Sequence, residues 1–264
     1  MQVATVDREL PRPTSLVRMF HEVADELRRT FSERKGWLLG LGLNVVVAAV
    51  YVGYKHYQPH SHDKVRIAGI ATDTVAWVLA SVINTNQLGA DEEQVTRSLR
   101  RGEHIGHELA LKNLALGILL FPIAFALSVG VRLALDHWRE IPHAILFDLY
   151  VTFLWLGVGS LVSVLLPYRP ISLRQRWQRR SSWFRWGVCL AAPYVVLFAI
   201  IRPLKWPADR LARALCGAPE QHLLGYAFVY FCFGVAVWLV CLCLAGLYGR
   251  IASERLQADL ERED

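Results

Sequence analysis

Six stretches of the chain run on apolar residues with almost no charge: 36–54, 68–88, 113–131, 144–166, 186–201 and 223–249. Two charged side chains stand within them, Asp73 and Asp148. A helix in water keeps a polar face, so charge recurs every turn or two. Its absence over lengths near the ~20 residues that cross ~30 Å of hydrocarbon predicts helices whose solvent is lipid or other membrane helices. None of the stretches alternates apolar and polar residues, so the strands of a membrane barrel do not fit. The pattern predicts an all-α integral membrane protein with six transmembrane helices, at 36–54, 67–88, 111–133, 143–166, 184–202 and 223–249. A cytoplasmic arm at 1–35 would precede them and a cytoplasmic tail at 251–264 would follow.

The segments between the spans carry patterns of their own. Across 14–35, Leu16, Phe20, Val23, Leu27 and Phe31 recur at three- and four-residue steps, with Arg18, Glu22, Asp25, Glu26, Arg28 and Arg29 between them. That single apolar stripe predicts an amphipathic helix on the inner membrane surface, running into the first span at Gly36-Trp37; a helix packed on a partner or on the core is the alternative. The second span is the most polar, with Thr72, Asp73, Thr74, Ser81, Asn84, Thr85 and Asn86, and should be enclosed by other helices or line a cavity. After it, Asp91 can cap a short helix with Glu92 and Glu93 in its first turn and Arg97, Arg100 and Arg101 toward its end, as the helix dipole favours. Pro122 and Pro193 fall inside the third and fifth spans, and the third is expected to bend at its proline. Between the fifth and sixth spans, Pro207 and Gly217 bracket a short outer helix with Leu211 and Leu215 on one face and Arg210 and Arg213 off it. From Arg250 the tail mixes both charge signs and reads as a solvated helix.

Charge adds an orientation. Lys and Arg number 20 in the arm, the second and fourth connections and the tail, against 9 in the alternate connections. Positive charge stays on the cytoplasmic side, so both termini are expected in the cytoplasm and the chain in the cell membrane as a multi-pass protein. Trp37, Trp138, Trp177, Trp183, Trp186 and Trp206 fall at the span ends, the depth that amphipathic rings favour. The first 35 residues show no cleavable leader, so the first span is expected to act as its own insertion signal. The net charge of +6 is spread over separate loops rather than gathered on one element, which argues against a nucleic-acid partner. Of the five cysteines, Cys189, Cys232, Cys241 and Cys243 lie in spans as small apolar residues, and no disulfide framework or zinc spacing emerges.

Candidate chemistry is sparse. There is no glycine-rich loop ending in Gly-Lys-Ser or Gly-Lys-Thr, no Gly-x-Ser-x-Gly and no His-Glu-x-x-His, so the chain reads as a non-enzyme that binds no cofactor and no metal itself. His56, His60, His62 and Asp63, and separately His104, His107 and Glu108, match no established metal spacing and read as exposed loop or interface residues. Asp73 and Asp148 lie near the outer ends of their spans. An intramembrane carboxylate is a functional candidate, but headgroup contact, or pairing with Arg66 or Arg132, is the favoured account; an Arg132–Asp148 ion pair is the specific expectation.

An inner arm helix, a charged helix after the second span and an outer helix before the last resemble the ABC-2-type (type V exporter-like) membrane subunits of ATP-binding cassette transporters. The stretches Asn84-Thr-Asn86-Gln-Leu-Gly89-Ala-Asp91 and Lys112-Asn113-Leu-Ala-Leu-Gly117 are similar to that family's passage from its second span through the coupling helix into its third. The resemblance implies a permease subunit of an exporter, paired with a second copy of itself or a related membrane subunit. It implies that a separate nucleotide-binding ATPase subunit, which holds ATP and Mg, docks on Asp91, Glu92, Glu93, Arg97, Arg100 and Arg101. It further implies a substrate path past Thr74, Trp77, Ser81, Asn84 and Tyr194. An ion-gradient-driven transporter or channel, or a membrane assembly protein without transport, is the rival expectation.

Overall fold

The computed structural model describes residues 20–28, 105–134, 138–166, 202–217 and 222–256, with 46, 50, 88, 95–97, 99, 192, 195, 196 and 199 as separate positions. Four helices carry the architecture: α1 Ile105–Ala134, α2 Ile141–Leu165, α3 Arg202–Cys216 and α4 Leu223–Ile251. A single 3-10 turn, Trp138–Glu140, leads into α2, and Pro142 in the first turn of α2 needs no backbone N–H there. This is an all-α membrane protein.

The expectation of six membrane-spanning helices is corrected. Among the described residues three helices are long and apolar enough to cross a membrane: Ile105–Gly130 within α1, Trp138–Leu165 including its 3-10 entry, and Leu223–Ile251. The windows 36–54, 67–88 and 184–202 fall outside the described residues except at single positions. α1, α2 and α4 each combine an uncharged apolar run with a continuous helix of spanning length.

Close approaches define the topology. Tyr150 backs onto Gly234, and Gly157 lies against Trp238 and Cys241, so α2 and α4 run in the same direction. Asn113 meets Ser160, and Gly106 meets Gly246, so α1 runs opposite to both. α2 therefore ends at one end of the bundle while α3 and α4 begin at the other. Small residues at these crossings let backbones approach, the usual basis of helix association in lipid, where burial against hydrocarbon supplies little drive. α2 is the central helix: 61% of its apolar window is buried, against 28% for α1 and 22% for α4. The outward sides of α1 and α4 remain large and apolar, with Ile118, Phe125, Phe228, Leu239, Val240 and Leu244 exposed, as lipid-facing surfaces are.

Two clusters make the core. One, at the end where α2 and α4 start, gathers Leu120, Tyr150, Leu154, Trp155, Tyr226 and Tyr230 with Ala208 and Ala212 of α3; Ala192 and Val196 pack on it. The other, at the opposite end, joins Leu88, Val95, Ile105, Leu109, Val164, Ala245 and Leu256.

Three smaller expectations change. α3 starts at Arg202 and carries Pro207 inside it, rather than starting at that proline. It does stop at Gly217, whose positive φ of 78° and N–H to the Arg213 carbonyl close the helix as a glycine readily does. The tail is not wholly solvated, because its first turn beyond Ile251 places Leu256 in the second cluster. In the arm, residues 20–28 are helical, but Glu26 of the expected polar face is buried and Phe20 of the expected apolar stripe is exposed. The helix thus turns a mixed face, Val23 with Glu26, toward the bundle.

Candidate functional site

Polar side chains buried between membrane-long helices are the natural place to look for function, because each costs free energy unless satisfied. The α1–α2 interface holds most of them. In its interior, Asn113 Nδ2 donates to Ser160 Oγ at 2.7 Å, and Ser160 donates in turn to the Leu156 carbonyl at 2.9 Å. Such an interhelical bond contributes about 0.6–2 kcal/mol in a membrane and fixes the rotation of one helix against the other.

Nearer the α2 start, Arg132 and Asp148 turn into the same interface, 3% and 1% exposed. Arg132 Nη1 donates to Ser128 Oγ at 2.5 Å and to the Ser128 carbonyl at 3.4 Å. The Ser128 hydroxyl lies beside the Asp148 carboxylate, and the two charges act on each other through space. No described donor completes a hydrogen bond to either carboxylate oxygen of Asp148. The arrangement is thus a relay of guanidinium, hydroxyl and carboxylate, in which charge rather than a hydrogen bond links the ends. Glu140 and His143, from the entry to α2, add charged and titratable groups within electrostatic reach of Arg132. Thr152, one turn along from Asp148, spends its hydroxyl on the Asp148 carbonyl at 2.7 Å.

At the same end, α3 is fastened to α4 by two tyrosines. Tyr230 donates to the Asp209 carboxylate, and Tyr226 donates to the Gly217 carbonyl at 2.7 Å. Tyr150 and Phe147 of α2 pack at a tilt against Tyr230, with ring centroids 5.3 and 6.5 Å away, so α2 and α4 share an aromatic knot to which Asp209 of α3 is bonded.

The opposite end has a different character. Lys112 Nζ meets Glu26 Oε1 at 3.0 Å with both side chains nearly enclosed, and His107 Nε2 lies 3.3 Å from Glu22 Oε2. These pairs moor the arm helix to α1. Beside them, residues 95–97 and 99 are helical; Val95 and Thr96 are buried, Leu99 packs on the second cluster, and Arg97 is exposed.

Of the residues singled out from sequence, Arg132 and Asp148 come together and Arg97 stands on the surface of the short helical segment. Asp91, Glu92, Glu93, Arg100 and Arg101, and all of Thr74, Trp77, Ser81, Asn84 and Tyr194, lie outside the described residues. The structure adds Asn113–Ser160, Lys112–Glu26 and Asp209–Tyr230, none of which the sequence pairs. Lys112 carried a signal, a lone cation at the edge of an uncharged run; nothing in the chain pointed to its partner 86 residues earlier. Among the described residues no group of His, Cys, Asp and Glu is arranged to hold a metal ion.

No protein-family model, curated protein or solved structure matches this chain.

Proposed function

We propose that this chain is the permease subunit of an ATP-driven exporter of the ABC-2 type, working with a second membrane subunit and a separate nucleotide-binding ATPase subunit. The observation that carries the proposal is the set of helical positions 95–97 and 99. Val95 and Leu99 key into a cluster made by the ends of all three long helices, through Ile105 and Leu109 of α1, Val164 of α2 and Ala245 of α4. Arg97 faces outward from the same segment. A push on such a surface reaches every long helix at once, which is what a subunit driven by a partner's ATP-powered motion requires. The moored arm beside it widens the platform. On this reading that end of the bundle faces the cytoplasm in the cell membrane, Asp91, Glu92, Glu93, Arg100 and Arg101 complete the docking surface, and ATP and Mg stay on the partner. Thr74, Trp77, Ser81, Asn84 and Tyr194 line the path.

The test is co-purification. Tagged protein in mild detergent should bring down an ATPase subunit, and Arg97→Glu combined with Glu92→Lys and Glu93→Lys should release it while the permease stays folded. Absence of any ATPase, together with unchanged function in the triple variant, defeats the proposal.

A second reading, transport driven by an ion gradient, draws on the enclosed carboxylate of Asp148 beside Arg132. It predicts transport that survives removal of ATP, collapses when the gradient is dissipated, and is lost in Asp148→Asn.

A further inference from the structure

α3 presents three faces. Ala208 and Ala212 are buried in the core, with Asp209 turned to the Tyr230 hydroxyl. Leu211 and Leu215, four residues apart, form an exposed apolar stripe on one flank. Trp206, Arg210 and Arg213 recur at steps of four and three and form a second exposed stripe on the other flank. The Arg210 guanidinium lies over the Trp206 ring, 3.8 Å from its centroid. The one acid of the helix is spent inward, and among the described residues no carboxylate pairs with Arg210 or Arg213. A second Arg-on-Trp stack stands at the same end of the bundle, Arg139 over Trp138 with 5.3 Å to the centroid, and both tryptophans are 58% exposed.

We propose that α3 lies in the membrane interface and binds anionic phospholipid headgroups, with Leu211 and Leu215 toward the acyl chains and Arg210 and Arg213 on the phosphates. Position supports this, since α3 packs on the start of membrane-long α4, the level at which indole rings settle. Charge complementarity supports it as well: two guanidiniums with no carboxylate partner among the described residues share the helix with an exposed apolar stripe, the composition of a helix that lies on anionic lipid. The two tryptophans, from separate elements, both stand exposed at this end of the bundle. The inference does not depend on what drives transport, so it stands or falls apart from the exporter reading.

The full chain in nanodiscs supplies the test. Retention of phosphatidylglycerol over phosphatidylcholine, read by native mass spectrometry, should fall about thirtyfold in Arg210→Gln/Arg213→Gln, as expected from losing two cations near a charged surface. In a background with the five native cysteines replaced by serine, a spin label at Leu215→Cys should collide with oxygen dissolved in lipid, and one at Arg213→Cys with a water-soluble nickel chelate. Unchanged phosphatidylglycerol retention overturns the proposal. So does nickel access at 215 equal to that at 213, which would put α3 in water, or shielding of 215 from both reagents, which would mean that a second copy covers the leucines.

Discussion

Asp148 and Arg132 show what enclosure does to a charge. Each would cost several kcal/mol if moved alone from water into the bundle, and each lowers that cost for the other. Because Ser128 stands between them, their coupling should be electrostatic and moderate. Arg132→Met and Asp148→Asn should each destabilise the solubilised protein, and the double variant should lose less than the sum, with a coupling of about 1–3 kcal/mol in a double-mutant cycle of unfolding. Strict additivity would show that proximity without energetic linkage is all the site contains. Both residues were visible in the sequence as rare charges in or beside apolar runs. Ser128 was not, because a serine in a membrane helix satisfies itself on its own backbone and attracts no notice. Its role depends on which helix face meets α2, and that is a tertiary fact.

At the scale of elements, the glycines set the distances. A Cβ built on Gly234 would stand 2.9 Å from the Tyr150 backbone oxygen, whereas one on Gly130 would meet nothing within 4 Å. Gly234→Ala should therefore force α4 away from α2 and cost about 1–3 kcal/mol. Gly130→Ala should be neutral or stabilising, since alanine is the better helix former by about 1 kcal/mol. Chemical unfolding of the two variants side by side separates these outcomes; equal effects would show that the α2–α4 approach is not tight. The helices themselves were legible from uncharged length, and the C-terminal stop of α3 from Gly217. The start of α3 was not, because Pro207 reads as a first-turn residue, while Ala208 and Ala212 packing on Tyr226 and Tyr230 stabilises a longer helix around it.

For the molecule as a whole, the arm is joined to the bundle through polar contacts. Lys112→Ala leaves the buried Glu26 carboxylate without its ammonium partner, a loss of about 3 kcal/mol or more when a buried pair is broken. Limited proteolysis should then cut the arm faster while α1, α2 and α4 stay protected. An arm as resistant as in the parent would mean that Val23 and its neighbours hold it without the ion pair. The amphipathic stripe in the arm was legible, but the face it uses was not. Periodicity orders residues around a helix and says nothing of a lysine on a distant helix that makes a glutamate the better residue to bury.

The sequence by itself determined the solvent of this protein and the class of its elements. Charge is excluded from long stretches because hydrocarbon cannot solvate it, and that requirement is local, so it is written locally. Tertiary structure decided the rest: that α2 is central, and that Lys112 finds Glu26 and Asn113 finds Ser160. Those are agreements between residues far apart in the chain. Each side chain records its own chemistry and leaves the identity of its partner to the packing.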